Sequence, residues 1–71
     1  MYFLTEKLIE NGNYESITIH WYDVSGIFKS EAGDLTCIVE LGWSDRIQVK
    51  GKFSNLLLIY ATLGDYEINW N

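Results

Sequence analysis

Apolar and polar residues alternate along most of this chain with the two-residue period that is typical of β-strands. In the clearest example, Ile17, Ile19 and Trp21 fall on one face of a segment rich in β-branched and aromatic side chains. After Trp21 the apolar residues move to the other face: Ile17, Ile19 and Trp21 occupy odd positions, whereas Val24 occupies an even one. A strand changes its apolar face only where a residue is inserted, so we expect a bulge or sharp bend between Trp21 and Gly26.

The dipeptide Asn11-Gly12 predicts the first turn, because both residues tolerate the positive φ angles of a tight hairpin. A two-residue loop at this point pairs Leu4 with Ile19 and makes residues on both sides of the turn into strands. The alternative is a short helix over residues 5–11 that ends at the glycine. We prefer the hairpin, and the pattern alone leaves the helix open.

Two further turns are predicted downstream. The segment 31–34 reverses the chain and pairs Phe28 with Cys37, which places the thiol in the core. A three-residue loop at 43–45 follows, because it keeps the apolar residues of its flanking strands on one face, whereas a two-residue loop mixes apolar with polar partners. We therefore expect Trp43 to lie in a loop.

The last third of the chain predicts one helix and one strand. Ser54 is a suitable N-cap for a helix over residues 55–63, and Gly64 stands at the position where helices commonly end. Alternation then resumes over residues 66–70. The predicted fold class is α+β: a bent antiparallel β-meander of four strands, one covering helix and a C-terminal strand, in a single small domain over residues 1–71.

Composition adds two constraints to this fold. Three tryptophans, five tyrosines and three phenylalanines in 71 residues supply large apolar area to a core that is too small to rely on the number of its side chains. Ten acidic residues against five basic ones give a formal net charge of −5. Solubility alone explains a charge of this size. The same charge favours a basic partner and disfavours non-specific binding to nucleic acid or anionic membranes.

A single cysteine, Cys37, leaves no partner for an internal disulfide. With no secretory signal visible, it favours a reducing, cytoplasmic location. The longest apolar run, residues 56–61, is far shorter than the roughly 20 residues that a membrane span needs. We therefore expect a cytoplasmic protein that does not associate with membranes.

Candidate catalytic groups are sparse. His20 lies in a predicted strand with no nucleophile or carboxylate placed beside it, and one histidine with one cysteine does not make a zinc site. Asp65 and Glu67 are close enough for paired-carboxylate chemistry, but a chain this short has little room for a substrate cleft. We expect no enzymatic activity, no cofactor and no metal site.

The leading hypothesis is a small acidic protein-binding module. Exposed tryptophans would form the centre of its contact surface, and acidic residues near the turns would form a rim that attracts a basic protein. One form of this hypothesis is an inhibitor that occupies the basic surface of a nucleic-acid-processing enzyme. Small phage-encoded antagonists, including anti-restriction and anti-CRISPR proteins, have this general size and charge, and the likeness extends no further. The predicted partner-binding residues are Trp43, Asp45, Glu31, Asp34, Asp65, Glu67 and Trp70.

Two alternatives belong to other classes of function. Arg46, Lys50 and Lys52 are three of the five basic residues and precede the predicted helix, where backbone N–H groups favour anions. They predict weak binding of an anion or nucleic acid. The second alternative is a structural or regulatory homo-oligomer, in which the edge of the strand over residues 66–70 pairs with a second copy to form a homodimer.

Overall fold

The computed structural model describes residues 1–42 and 45–64 of the chain. Within these residues, five strands form one antiparallel sheet and a single helix packs against it, so the predicted α+β class is confirmed. The elements are β1 (Tyr2–Leu8), β2 (Tyr14–His20), β3 (Val24–Lys29), β4 (Thr36–Leu41), β5 (Asp45–Lys50) and α1 (Phe53–Gly64). The strand order is β2-β1-β5-β4-β3. The predicted C-terminal strand over residues 66–70 lies outside the described residues.

The sheet is strongly curled. β2 and β3 form its two edges, yet only the 3₁₀ turn Trp21–Asp23 joins them. The edges of a flat five-stranded sheet lie roughly 19 Å apart, whereas such a turn advances the chain by only about 8 Å. The edges must therefore approach each other at this turn. Because both strands run in the same direction, they act as one long strand bent at a corner, which confirms the bend expected between Trp21 and Gly26.

A register shift follows the corner at Ser25. Val24 pairs with Leu41 as predicted, but beyond Ser25 the β3–β4 register moves by one residue. The shift points Ile27 into the core, where it is 7% exposed, and leaves Phe28 at the surface. The predicted pairing of Phe28 with Cys37 is therefore wrong, because Phe28 pairs with Ile38.

The first hairpin is confirmed, but its turn is the three-residue 3₁₀ segment Glu10–Gly12, flanked by the hydrogen-bonded pair Ile9 and Asn13, rather than a two-residue loop. Asn11 and Gly12 adopt the expected positive φ angles of 63° and 75°. The extra loop residue shifts the register by one, so that Phe3 rather than Leu4 lies opposite Ile19. Leu4 consequently points outward and is 73% exposed.

The β4–β5 hairpin keeps the predicted apolar face with a different pairing. Leu41 pairs with Asp45, so the residues between the two strands are 42–44 rather than the expected 43–45. Val39 pairs with Ile47, and both point towards the core. Trp43, expected in this loop, lies outside the described residues.

The core lies inside the curl and under the helix. Cys37, Val39 and Val49 are fully buried at its centre, which confirms the inward position predicted for the thiol. The rings of Phe3 and Trp21 lie 4.5 Å apart, centroid to centroid, and close the core beside the corner. The remaining buried apolar residues are Ile19, Val24, Ile27, Leu56 and Ala61.

Helix α1 packs against β3 and β4. It begins at Phe53, so the predicted cap Ser54 is already helical, and it ends at Gly64 as expected. Its buried positions are Leu56 and Ala61, with Phe53, Leu57 and Tyr60 half-buried beside them. Ile59 and Leu63 of the same helix are 41% and 44% exposed.

Candidate functional site

The strands and the helix bring separate segments of the chain together at two ends of the domain. We call the first the corner end: within the described residues it contains Met1, Tyr2, residues 20–24, residues 41, 42, 45 and 46, and residues 60–64. Three observations join these segments. The backbone N–H of Trp21 donates to the carbonyl oxygen of Met1 at 3.1 Å, and that of Gly42 donates to Asp23 at 2.7 Å. The C-terminal turn of α1 also lines one surface pocket together with Met1 and Trp21.

The second of these is the turn end, which contains the β3–β4 turn over residues 30–35 and the start of α1. The N–H of Gly51 donates to the carbonyl oxygen of Leu35 at 2.8 Å, which attaches the β3–β4 turn to the segment before the helix. The six residues of β4 separate the two ends by about 20 Å.

A row of exposed aromatic rings marks the corner end. Tyr22 is 81% exposed and Tyr2 is 59% exposed. The ring of His20 lies between them, with centroid distances of 5.5 Å to Tyr22 and 5.9 Å to Tyr2. The imidazole thus contacts aromatic rings at the surface, which gives it a packing role in this row.

Apolar side chains extend this row towards the helix. Met1 is 78% exposed and Leu63 is 44% exposed, and both line a surface pocket of about 340 Å³ beside Tyr22. Apolar groups that cluster at a surface, rather than occurring singly, are typical of interaction sites.

Among the described side chains of the corner end, acidic groups outnumber basic ones. Asp23 and Asp45 are exposed there, and the C-terminus of α1 adds the negative end of the helix dipole. Among the described side chains of this end the one cation is Arg46, whose Nε donates to Oε2 of Glu40 at 2.9 Å. This hydrogen bond lowers the pKa of Glu40. Arg46 is therefore already engaged by a carboxylate of its own chain.

The predicted acidic rim is divided between the two ends. Asp45 begins β5 at the corner end, whereas Glu31 and Asp34 lie in the β3–β4 turn at the opposite end. The structure therefore does not bring these three carboxylates together. The remaining predicted partner-binding residues, Trp43, Asp65, Glu67 and Trp70, lie outside the described residues.

The predicted anion-binding residues are not gathered into one site. Arg46 lies at the corner end with Glu40, and Nζ of Lys50 lies 3.0 Å from Oε2 of Glu6. Lys52 lines a separate pocket of about 390 Å³ at the turn end, together with Lys29. Two of the three predicted cations are thus paired with carboxylates, which gives the anion-binding hypothesis less support.

The sequence did not point to the aromatic row. Tyr22 continues the apolar parity of Val24, which suggested an inward position, but the 3₁₀ turn rotates it to the surface. Tyr2 pairs with His20 rather than with Trp21 because the turn of the first hairpin has one residue more than expected. The change of apolar parity after Trp21 could have indicated this exposure. It predicts a corner, and a corner exposes the residue on its outer side.

Cys37 is the described nucleophile with the greatest burial. Its side chain is inaccessible, and burial raises the pKa of its thiol to about 11. The thiol is therefore protonated at neutral pH and packs as a small apolar group. Within residues 1–42 and 45–64, no three His, Cys, Asp or Glu side chains are grouped to hold a metal ion.

Comparison of the chain with protein-family models, with curated proteins and with solved structures finds no match. No helix within the described residues is long and apolar enough to cross a membrane.

Proposed function

We propose that this protein is a small acidic protein-binding module and that the corner end contacts a basic protein partner. One observation carries the proposal: exposed aromatic side chains lie together at an end that exposes two carboxylates and whose described cationic side chain, Arg46, is paired with Glu40. The aromatic residues are Tyr2, His20 and Tyr22, and the carboxylates are Asp23 and Asp45.

The aromatic row supports a contact surface. Tyrosine is among the residues most enriched at energetic hot spots of interfaces, because a large, rigid ring loses little conformational entropy when it is buried. Tyr22 is 81% exposed and therefore has most of its surface still to bury. Its neighbour Trp21 is buried and anchors the backbone beneath it. The row is therefore held in place before a partner arrives.

The charge distribution supports a basic partner. Carboxylates around an apolar centre accelerate the encounter with a positively charged surface and reject acidic proteins. The chain as a whole carries −5, so its general field acts in the same direction as the local one.

The partner we propose is a nucleic-acid-processing enzyme whose basic surface the protein occupies as an inhibitor. Such surfaces combine positive charge with exposed stacking groups, and the corner end offers complementary carboxylates and aromatic rings. Replacement of a DNA phosphate backbone is a poorer account, because B-DNA carries one charge about every 1.7 Å of its axis and −5 over this domain is sparse.

Affinity capture with matched variants tests the proposal. The immobilised protein, Tyr22→Ala and Leu35→Ala are each incubated with a lysate of the native host at low salt. Both residues are exposed, but Leu35 lies at the turn end. We expect the unmodified protein and Leu35→Ala to retain the same basic protein, and raised salt to release it. Tyr22→Ala should retain at least about tenfold less, as expected for a hot-spot residue.

Two results would overturn the proposal. Retention of acidic or neutral proteins alone would remove the basic partner. Equal retention by Tyr22→Ala and the unmodified protein would remove the corner end as the contact surface.

A further inference from the structure

The edge strand β2 presents a row of backbone groups that pair with no other strand within residues 1–42 and 45–64. Two hydrogen bonds fix their direction: Trp21 N–H donates to Met1 at 3.1 Å, and Ile9 N–H donates to Asn13 at 2.8 Å. Bonded pairs alternate along an antiparallel ladder, so the odd-numbered residues of β2 bond to β1. The groups that point away from β1 are the N–H and C=O of Tyr14, Ser16 and Thr18 and the N–H of His20, whose C=O caps the 3₁₀ turn that follows.

The two edges of the sheet differ in how they are protected. β3 carries a register shift at Ser25 and a lysine at its end, Lys29, and α1 packs against it. Bulges, lysines and covering helices are common means of blocking further strand addition. β2 has none of these features over its seven residues: its register is continuous, it contains no lysine or proline, and within the described residues it packs closely against β1 alone. In the described part of the chain, β2 is therefore the edge that lacks protection against another strand.

We propose that two copies of this chain associate through β2, antiparallel to each other, about a two-fold axis at Ile17. In this register Ser16 bonds to Thr18 of the second copy, and Tyr14 bonds to His20 of the second copy. All four residues have outward backbone groups, so the register uses the whole strand. A register centred one residue away leaves part of the strand without a partner.

The side chains of β2 fit this self-pairing. Ile17 is half-buried and lines a shallow surface pocket of about 330 Å³ between β1 and β2. At the two-fold axis it meets Ile17 of the second copy, which covers apolar surface on both sides. Glu15 is the acidic residue of β2. It lies opposite Ile19 of the second copy rather than opposite a second Glu15, so no like charges face each other.

The dimer does not rest on the proposed binding function, although it shares the backbone of His20 with the aromatic row. The pairing ends at His20, so Tyr22 and Asp23 lie beyond it. It also differs from the homodimer predicted from the sequence, which used residues 66–70, outside the described part of the chain.

The oligomeric state of the full chain tests the proposal. We expect sedimentation equilibrium at high micromolar concentration to give twice the 8.2 kDa mass of one chain. In Thr18→Pro, proline removes an outward N–H and keeps the ladder with β1 intact, so we expect a folded monomer. The double variant S16K with T18K places lysine opposite lysine across the axis and decides the question if the proline variant does not fold.

The matched control is N55K with T62K, which adds the same two charges on the exposed side of α1 and should remain a dimer. A monomeric unmodified protein would overturn the proposal. So would a folded Thr18→Pro or a folded S16K/T18K variant that stays dimeric, or dissociation of the helix control to the same extent.

Discussion

The corner end and the turn end are built from the same strands and the same helix, but they expose different chemistry. The corner end presents Tyr2 and Tyr22 above a buried tryptophan, with Asp23 and Asp45 beside them. The turn end presents mixed charges: Lys29 and Lys52 line one pocket with Asp34, and Lys50 is paired with Glu6. The net charge is therefore unevenly distributed: carboxylates outnumber cations at the corner end, whereas lysines balance them at the turn end.

The difference follows from how the chain reverses. At the turn end the chain changes direction in exposed polar loops. At the corner end a single strand bends through three residues, and the bend buries Trp21 while it exposes Tyr22. A large exposed ring beside a large buried one is a direct consequence of this corner.

The largest expected effect tests the anchor of the corner end. Trp21→Ala removes a ring that is 8% exposed and stacked on Phe3, so we expect a loss of about 3–5 kcal/mol of unfolding free energy. A domain of this length has roughly 4–11 kcal/mol in total. Tyr22→Ala, one residue away, should cost less than about 0.5 kcal/mol. Urea unfolding measures both, and equal losses would contradict the account of the corner.

The reactivity of the Cys37 thiol tests whether the core is closed to solvent near the turn end, because Cys37 pairs with Lys29 and Val49 there. Its pKa of about 11, against an ordinary value of 9.0, leaves about 100-fold less thiolate at neutral pH. We expect alkylation at least that much slower than in urea-unfolded chain. A rate equal to that of unfolded chain would show that this end opens.

The same pKa predicts a pH dependence of stability. The folded state disfavours the thiolate, so the contribution of Cys37 is complete below pH 9.0 and is lost as the pH rises towards 11.

A smaller effect compares one glycine from each end. Gly51 has a φ of 152°, and a Cβ there would lie 3.1 Å from Cδ1 of Leu56. Gly51→Ala should therefore cost about 1–3 kcal/mol of unfolding free energy. Gly42, at the corner end, has a φ of 35°, and a Cβ there would lie 4.0 Å from the carbonyl oxygen of Asp23, an ordinary contact distance, so Gly42→Ala should cost about 1 kcal/mol. Urea unfolding of both variants checks the order, and a larger loss for Gly42→Ala would reverse it.

Much of the fold could be predicted because the apolar pattern determines which face of each strand is buried. The parity of β4 and β5, the inward position of Cys37 and the corner after Trp21 all follow from it. The register between paired strands was harder to predict. In β1 both parities contain apolar residues, so one extra loop residue moved Phe3 inward and Leu4 outward.

The candidate site could be predicted only in outline. Alternation indicates which residues share a face, but it does not show which turns meet at the same end of the sheet. Asp23 contributes to the site because the curl brings its carbonyl oxygen within 2.7 Å of the Gly42 N–H, a contact between residues far apart in sequence. For the same reason the sequence assigned Glu31, Asp34 and Asp45 to one rim, although β4 separates them.

Charge reversal at each end tests the central claim most directly. Asp23→Lys with Asp45→Lys, and Glu31→Lys with Asp34→Lys, each change the formal net charge from −5 to −1 because every substitution adds two charges. If the corner end is the contact surface, the first pair should weaken binding to the captured basic partner at least about tenfold more than the second, measured by titration calorimetry at fixed ionic strength. Equal losses from both pairs would show that net charge alone drives association and would contradict the difference between the two ends.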